Sequence, residues 1–168
     1  KAKMTAEIIN LSLNANTHYV NMAGTKFYKV TSLGSFVPVL QAHPDKMAGV
    51  GGSFFPNIYG RFFAFGLLTS AQFGGSASND VITYRSHYQF IPTVGTAVRF
   101  AGGIVRMGYS FQYVNRASGV VETTSAAASS FREKLAQGSG FSHNVGFALT
   151  LPIKFLPAFN IVGRNLGG

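Results

Sequence analysis

Apolar and polar residues alternate one by one along much of this chain, and the longest alternating stretch covers residues 82–100. One side of this stretch carries aromatic and aliphatic residues such as Phe90 and Val98, and the other carries small or polar residues such as Thr93 and Ala97. Successive side chains of a β-strand point to opposite faces of the sheet. The alternation therefore predicts one long strand with two chemically different faces.

A Gly-Gly pair at Gly102–Gly103 follows this strand, and the alternation resumes after it. Gly-Gly is a strong signal for a tight β-hairpin turn. With the pair at the centre of the turn, apolar residues meet across the two strands, as Phe100 and Val105 do, and small residues meet as Ala97 and Gly108 do. A shift of one residue would break every matched pair, so the sequence predicts the register as well as the hairpin.

The same alternation marks further strands along the chain. It predicts strands at residues 7–15, 47–55, 61–73, 104–114, 141–151 and 157–164. Turn residues such as Gly, Pro and Asn separate most of these segments, which is typical of antiparallel sheets. The sequence therefore predicts a single all-β domain over residues 1–168, built as an antiparallel up-and-down sheet of about seven strands.

Two stretches depart from the alternation. Residues 26–41 place Val30, Leu33 and Leu40 at helical spacing, which predicts a short amphipathic helix. Residues 120–139 contain Ser and Thr before an Ala-rich run that ends at Gly138, which predicts a loop that carries a short helix.

The amino-acid composition indicates the kind of protein to which this sheet belongs. Only 11% of the 168 residues are charged and 46% are apolar, whereas about 25% of a typical soluble domain is charged. The polar sides of the strands carry small and uncharged residues with occasional Arg, while Glu and Lys are almost absent from them. A transmembrane β-barrel needs this combination of a lipid-facing apolar exterior and a small, polar interior. The sequence thus predicts such a barrel, or a large part of one, with one or two short helices.

This prediction assigns residues to the two faces. Candidates for contact with membrane lipid are Phe63, Phe65, Tyr84, Tyr88, Met107, Tyr109, Phe111, Tyr113 and Phe147. Candidates for the lining of the lumen are Arg85, His87, Gln89, Arg99, Arg106, Gln112 and Asn144. The net charge of +9 and the position of these arginines predict a mildly basic lumen that attracts anionic solutes.

The stretch from Thr83 to Val114, and within it Met107–Tyr113 (Met-Gly-Tyr-Ser-Phe-Gln-Tyr), resembles the hairpins of bacterial outer-membrane barrels. More loosely, the chain resembles the long-chain fatty-acid transporter type and related conjugative-transfer-like barrels. The resemblance implies a location in the bacterial outer membrane and the passage or binding of an apolar or small solute. It carries over no ligand-binding residue. The chain lacks an initiator Met and a terminal aromatic strand, from which we expect a piece of a longer precursor, incomplete at both ends.

Alternative functions receive less support from the residues. The four histidines show no metal-binding spacing, the chain has no cysteine, and the five acids form no obvious pair. Ser142, His143 and Asn144 are adjacent on a strand, so they point to alternating faces and form no local triad. Aromatic and Arg residues lie on opposite faces, whereas nucleic-acid stacking needs both on one surface. We therefore expect no enzyme activity, cofactor, metal or nucleic-acid partner. A non-enzymatic envelope or surface-assembly β-sandwich that binds partners through its apolar face remains the alternative.

Overall fold

A computed structural model of the chain describes residues 4–23, 38, 40–78, 81–123, 135–153 and 157–166. These residues form one antiparallel sheet of nine strands, which is not closed into a barrel. In chain order the elements are β1 (Thr5–Glu7), β2 (Leu11–Ala15), α1 (Thr17–Ala23), β3 (Ala48–Phe54), β4 (Asn57–Tyr59), β5 (Phe63–Ser78), β6 (Val81–Phe100), a short 3-10 turn (Ala101–Gly103), β7 (Val105–Thr123), β8 (Ala136–Thr150) and β9 (Ala158–Leu166).

The nine strands lie in seven rows. β3 and β4 both pair with β5 in one continuous register, since Phe54 faces Thr69 and Asn57 faces Gly66. The short break between them is at Pro56, which has no backbone N–H to donate to the sheet but accepts a 3.0 Å hydrogen bond from Leu67 N. β1 and β2 form the neighbouring row with a register change between them. These seven rows correspond to the seven alternating segments of the sequence.

The β6–β7 hairpin has the register that the sequence predicts. Phe100 pairs with Val105, Val98 with Met107, and the same register continues to Ile82 and Thr123 at the other end of the strands. The prediction of an antiparallel all-β fold and of this register is confirmed. The hairpin is longer than predicted, because β7 continues to pair with β6 beyond residue 114 as far as Thr123, where the sequence no longer alternates between large apolar and polar residues.

The turn of this hairpin depends on glycine. Ala101, Gly102 and Gly103 have φ angles of 48°, 68° and 97°, in the left-handed region that L-residues other than glycine adopt at a cost.

We expect Gly103→Ala to lower the free energy of unfolding by about 1–2 kcal/mol, because alanine must adopt the same left-handed backbone. The matched control is Gly146→Ala in β8, where an added Cβ meets nothing within 4 Å and no positive φ is recorded. The control should be neutral or slightly stabilising. Equal effects of the two substitutions on the denaturation midpoint would contradict the turn geometry.

Two sequence predictions change in the structure. Residues 120–123 and 136–139 belong to β7 and β8 rather than to the predicted loop of 120–139, because the strands keep their pairing there. The remaining loop, with most of its predicted helix, lies outside the described residues. Of the helix predicted at 26–41, only Pro38, Leu40 and Gln41 are described, and they are helical.

The buried core is small and lies at one end of the sheet. Tyr19 of α1 and Leu40 pack on Ala48, Ala77, Ile82 and Tyr84, which all lie on the same side of β3, β5 and β6 and far from the β6–β7 turn. α1 was not predicted from the sequence. Among the described residues, no helix has the length and hydrophobicity needed to cross a membrane.

Candidate functional site: the two faces of the sheet

Cross-strand partners of an antiparallel sheet point to the same side, so the pairing assigns every strand residue to one of two faces. The first face, which we call the aromatic face, carries odd-numbered residues in β5, β7 and β8 and even-numbered residues in β3 and β6. The second, which we call the small-residue face, carries the residues between them. All predicted lipid-facing residues lie on the aromatic face, and all predicted lumenal residues lie on the small-residue face.

Many large hydrophobic side chains are exposed on the aromatic face. Phe63, Phe65, Tyr88, Met107, Tyr109 and Phe147 are all exposed on it, and so are Leu11, Leu13, Phe54, Ile58, Val94, Val98, Phe100, Phe141, Val145, Phe159 and Ile161. Water-soluble monomers rarely expose an apolar surface that extends over so many neighbouring side chains. Exposed apolar surfaces of this extent are typical of sites that contact a membrane, a protein partner or an apolar ligand.

Tyr84 corrects the prediction of lipid contact. It lies on the predicted aromatic face, but only 1% of its side chain is exposed. The reason is the cluster formed by Tyr19 and Leu40, which packs over this end of the face. Tyr84 is part of the core, so it is unavailable to lipid.

Aromatic side chains pack against one another on β7 and β8. Phe111 stacks on Phe141 with ring centroids 5.3 Å apart, and Tyr113 lies 5.5 Å from the same ring. Phe111 and Tyr113 are consequently half-buried within the face. Such pairs stabilise neighbouring strands by about 0.5–1.5 kcal/mol beyond simple burial.

His143 lies on the aromatic face, within this cluster. The Tyr109 hydroxyl and His143 Nδ1 form a hydrogen bond of 2.6 Å, and the His143 ring lies 5.3 Å from Phe111. The two polar groups satisfy each other in apolar surroundings, where an unpaired polar group would be costly. This placement agrees with a structural or interfacial role for His143, and it separates the imidazole from Ser142 and Asn144 on the other face.

The small-residue face is the inner side of the curled sheet. Residues from β4 through β9 line one cavity of about 330 Å³ on this face, near the β6–β7 turn. Its floor consists of small residues, among them Ala64, Gly95, Ala97, Gly108 and Gly146, and its rim includes Tyr59 and Val162. Side chains from the second row and from the last row can share one cavity only if the sheet is strongly curved.

A second cavity of about 690 Å³ lies on the same face toward the other end of the sheet. Arg85 and His87 line it, together with the polar residues Asn14, Gln72 and Ser118. Among the residues that the structure describes, its lining contains no Asp or Glu. The cavity therefore offers a positive and hydrogen-bonding surface, which favours anionic groups.

A polar network, two members of which line the first cavity, connects β7, β8 and β9. Asn144 Nδ2 donates to Ser110 Oγ at 3.0 Å, and Asn165 N donates to Asn144 Oδ1 at 3.1 Å. Ser142 Oγ donates to Asn165 Oδ1 at 3.1 Å. Asn165 has a φ of 55° next to a register shift between β8 and β9. Only Asn144 of this network was predicted, since the register shift that brings in Asn165 has no sequence signal.

Two arginines face each other at the turn end of the small-residue face. Arg99 and Arg106 are direct cross-strand partners, and both are exposed. Arg106 Nε donates a 3.1 Å hydrogen bond to the backbone oxygen of Gly103. Like charges directly opposite each other destabilise a strand pair unless solvent or an anion compensates for them. Their juxtaposition places positive charge on the small-residue face between the turn and the Ala97–Gly108 pair, which lines the first cavity.

The presence of glycine at different positions of the small-residue face has different local explanations. A Cβ at Gly51 would lie 2.7 Å from Asn14 Oδ1 and 2.9 Å from Gln72 Cγ, so β2, β3 and β5 approach too closely there for any side chain. A Cβ at Gly138 or Gly140 would meet nothing within 4 Å. Close packing explains the first glycine, and the others leave open space along the face.

The fold and its two faces place this chain in the class of open antiparallel sheets. The sheet is curled, its outer face is apolar and its inner face bears the cavities. Comparisons with protein-family models, with curated proteins and with solved structures find no match to this chain. Within the described ranges, no group of three or more His, Asp or Glu side chains is placed to hold a metal ion.

Proposed function

We propose that the chain forms an outer-membrane β-barrel, or a large part of one, in a bacterial envelope. It acts there as a passive channel or transporter for a small or apolar solute, and its lumen is mildly basic. The observation that supports this most directly is the difference between the two surfaces: large apolar side chains are exposed on the aromatic face, while the two cavities described above lie on the small-residue face.

Physical chemistry supports lipid as the partner of the aromatic face. Transmembrane barrels present an apolar outer band and a polar inner surface, with alternation along every strand. The described strands show this alternation with small residues inside, and the inner side of the curve bears the cavities. A β-sandwich, in contrast, packs a second sheet on its apolar face, and the described residues form one sheet only.

Refolding into detergent and into lipid vesicles tests this proposal. We expect the protein to partition into the detergent phase, to migrate differently on gels before and after heating, and to make vesicles permeable to small solutes. A protein that stays in the aqueous phase and leaves vesicles sealed would contradict the proposal and favour the envelope sandwich.

Arg99 and Arg106, near the β6–β7 turn, lead to a prediction about ion selectivity. We expect the double variant Arg99→Gln, Arg106→Gln to lose anion preference in planar bilayers, because two positive charges are removed from the small-residue face near the turn. The expected readout is a shift of the reversal potential toward cations in a salt gradient. The control, Arg99→Lys with Arg106→Lys, keeps both charges and should keep the preference. Unchanged selectivity in the Gln variant would show that these arginines are screened and play no part in permeation.

A further inference from the structure

We infer that only the half of the sheet near the β6–β7 turn crosses the bilayer, and that the other half stands in water beneath a cover made by α1 and Leu40. This inference rests on the proposed function and adds the position of the membrane boundary. We define the bare belt as the aromatic-face residues of 88–100 in β6, 105–113 in β7 and 141–149 in β8. The covered end consists of Ala48, Ala77, Ile82, Tyr84 and Val121.

Strand length requires that part of the sheet lies outside the hydrocarbon. β6 has 20 residues and β7 has 19, whereas a tilted strand needs about 9–11 residues to span the bilayer core. At the usual tilt of about 45°, about half of the β6–β7 hairpin therefore extends beyond the hydrocarbon.

Burial shows which half this is. On the aromatic face of β6, Val94 is 49% exposed, while Ile82 is 0% exposed beneath Tyr19 and Leu40. Packing Tyr19 and Leu40 over an apolar surface is driven largely by removal of that surface from water. In hydrocarbon this hydrophobic driving force vanishes, since lipid chains are as apolar as the side chains they would replace. Hydrophobic burial therefore stabilises the cover only if the covered end meets water.

The residues between the bare belt and the covered end indicate the same position for the membrane boundary. Aromatic-face positions just beyond the belt are small or polar: Ser86 in β6, Asn115 and Gly119 in β7, and Gln137 and Ser139 in β8. Such residues are unsuited to face lipid chains. On β6, β7 and β8 the large apolar side chains therefore end before the covered end begins, whereas Val50 of β3 and Phe73 of β5 continue the apolar surface to it.

Tyrosines mark the edge of the belt. Tyr88 is the last large aromatic-face residue of β6 before Ser86, and Tyr113 precedes Asn115 in β7. Tyr and Trp concentrate where the membrane meets water. From Val105 to Tyr113, and from Phe141 to Leu149, the belt is about nine residues long, which matches one crossing.

Site-specific fluorescence tests the boundary, and the absence of cysteine from the chain makes single labelling sites possible. Val94→Cys in the belt and Val20→Cys on the exposed side of α1 replace the same residue type at similar exposure, 49% and 54%. Each carries an NBD label in lipid nanodiscs, which leave both membrane faces open to water. Val98→Cys and Ser139→Cys form a second pair, and all variants are first checked for heat-dependent gel migration.

We expect spin-labelled phospholipid to quench the label at residues 94 and 98 several-fold more than at residues 20 and 139, and iodide to show the opposite order. Strong lipid quenching at all four positions would overturn the inference and leave the barrel proposal standing, because the covered end would then lie in the membrane. Lipid quenching at none of them would overturn the proposed function itself.

Discussion

Val94→Arg is expected to lower the free energy of unfolding in a lipid bilayer by about 2–4 kcal/mol, the cost of an arginine on the lipid face of a barrel near the midplane. Val94 lies in the middle of the bare belt and pairs with Phe65 and Phe111 on the aromatic face. A guanidinium there would have to leave water for hydrocarbon. Denaturant titration of vesicle-bound protein, followed by the loss of heat-dependent gel migration, measures the change.

The matched control for this substitution is Val162→Arg. Val162 is 57% exposed, lies on the small-residue face opposite Gly146 and lines the first cavity. In contact with water its replacement should change stability by no more than about 0.5 kcal/mol. If Val94→Arg has an equally small effect, the aromatic face is not in lipid, and the barrel proposal fails.

Ile82→Ala is expected to destabilise the protein by about 2–5 kcal/mol, because it removes a buried side chain and leaves a cavity beneath the cover. Ile82 is 0% exposed and belongs to the cluster of Tyr19, Leu40 and Tyr84. Resistance of the β5–β6 end to proteolysis, together with the denaturation midpoint, reports the loss.

Ile161→Ala provides the comparison, since it removes the same atoms from the aromatic face of β9, where the side chain is 71% exposed. Its truncation should cost less than about 1 kcal/mol, because little is lost in packing. If the two alanine variants are equally stable, the covered end contributes no packing energy, and its role as a water-excluding core is wrong.

The β6–β7 hairpin could be predicted in detail because each of its signals is local. Phe100 opposite Val105 and Ala97 opposite Gly108 depend only on distance from the Gly102–Gly103 turn. Alternation then fixes the face of every following residue, which is why the predicted lumenal residues Arg85, Arg99 and Asn144 fall on one side of the sheet.

The features that the sequence did not predict depend on contacts between distant segments. Tyr84 is buried because α1 and Leu40 pack over it. The alternation of β6 does not predict this contact with α1 and Leu40. Asn165 joins Asn144 and Ser142 only because β9 shifts its register against β8. The break at Pro56 is local, yet pairing with β5 continues across it, so β4 extends the row of β3 beyond the predicted segment of 47–55.

The number of rows determines whether the two edge strands of the sheet run in the same or in opposite directions. Each row runs antiparallel to its neighbour, so with seven rows the row of β1 and β2 runs in the same direction as β9. If these two edges met, the seam would be parallel, with evenly spaced and slanted hydrogen bonds instead of the alternating pairs found elsewhere in the sheet. A strand that paired antiparallel with both edges would instead make the number of rows even.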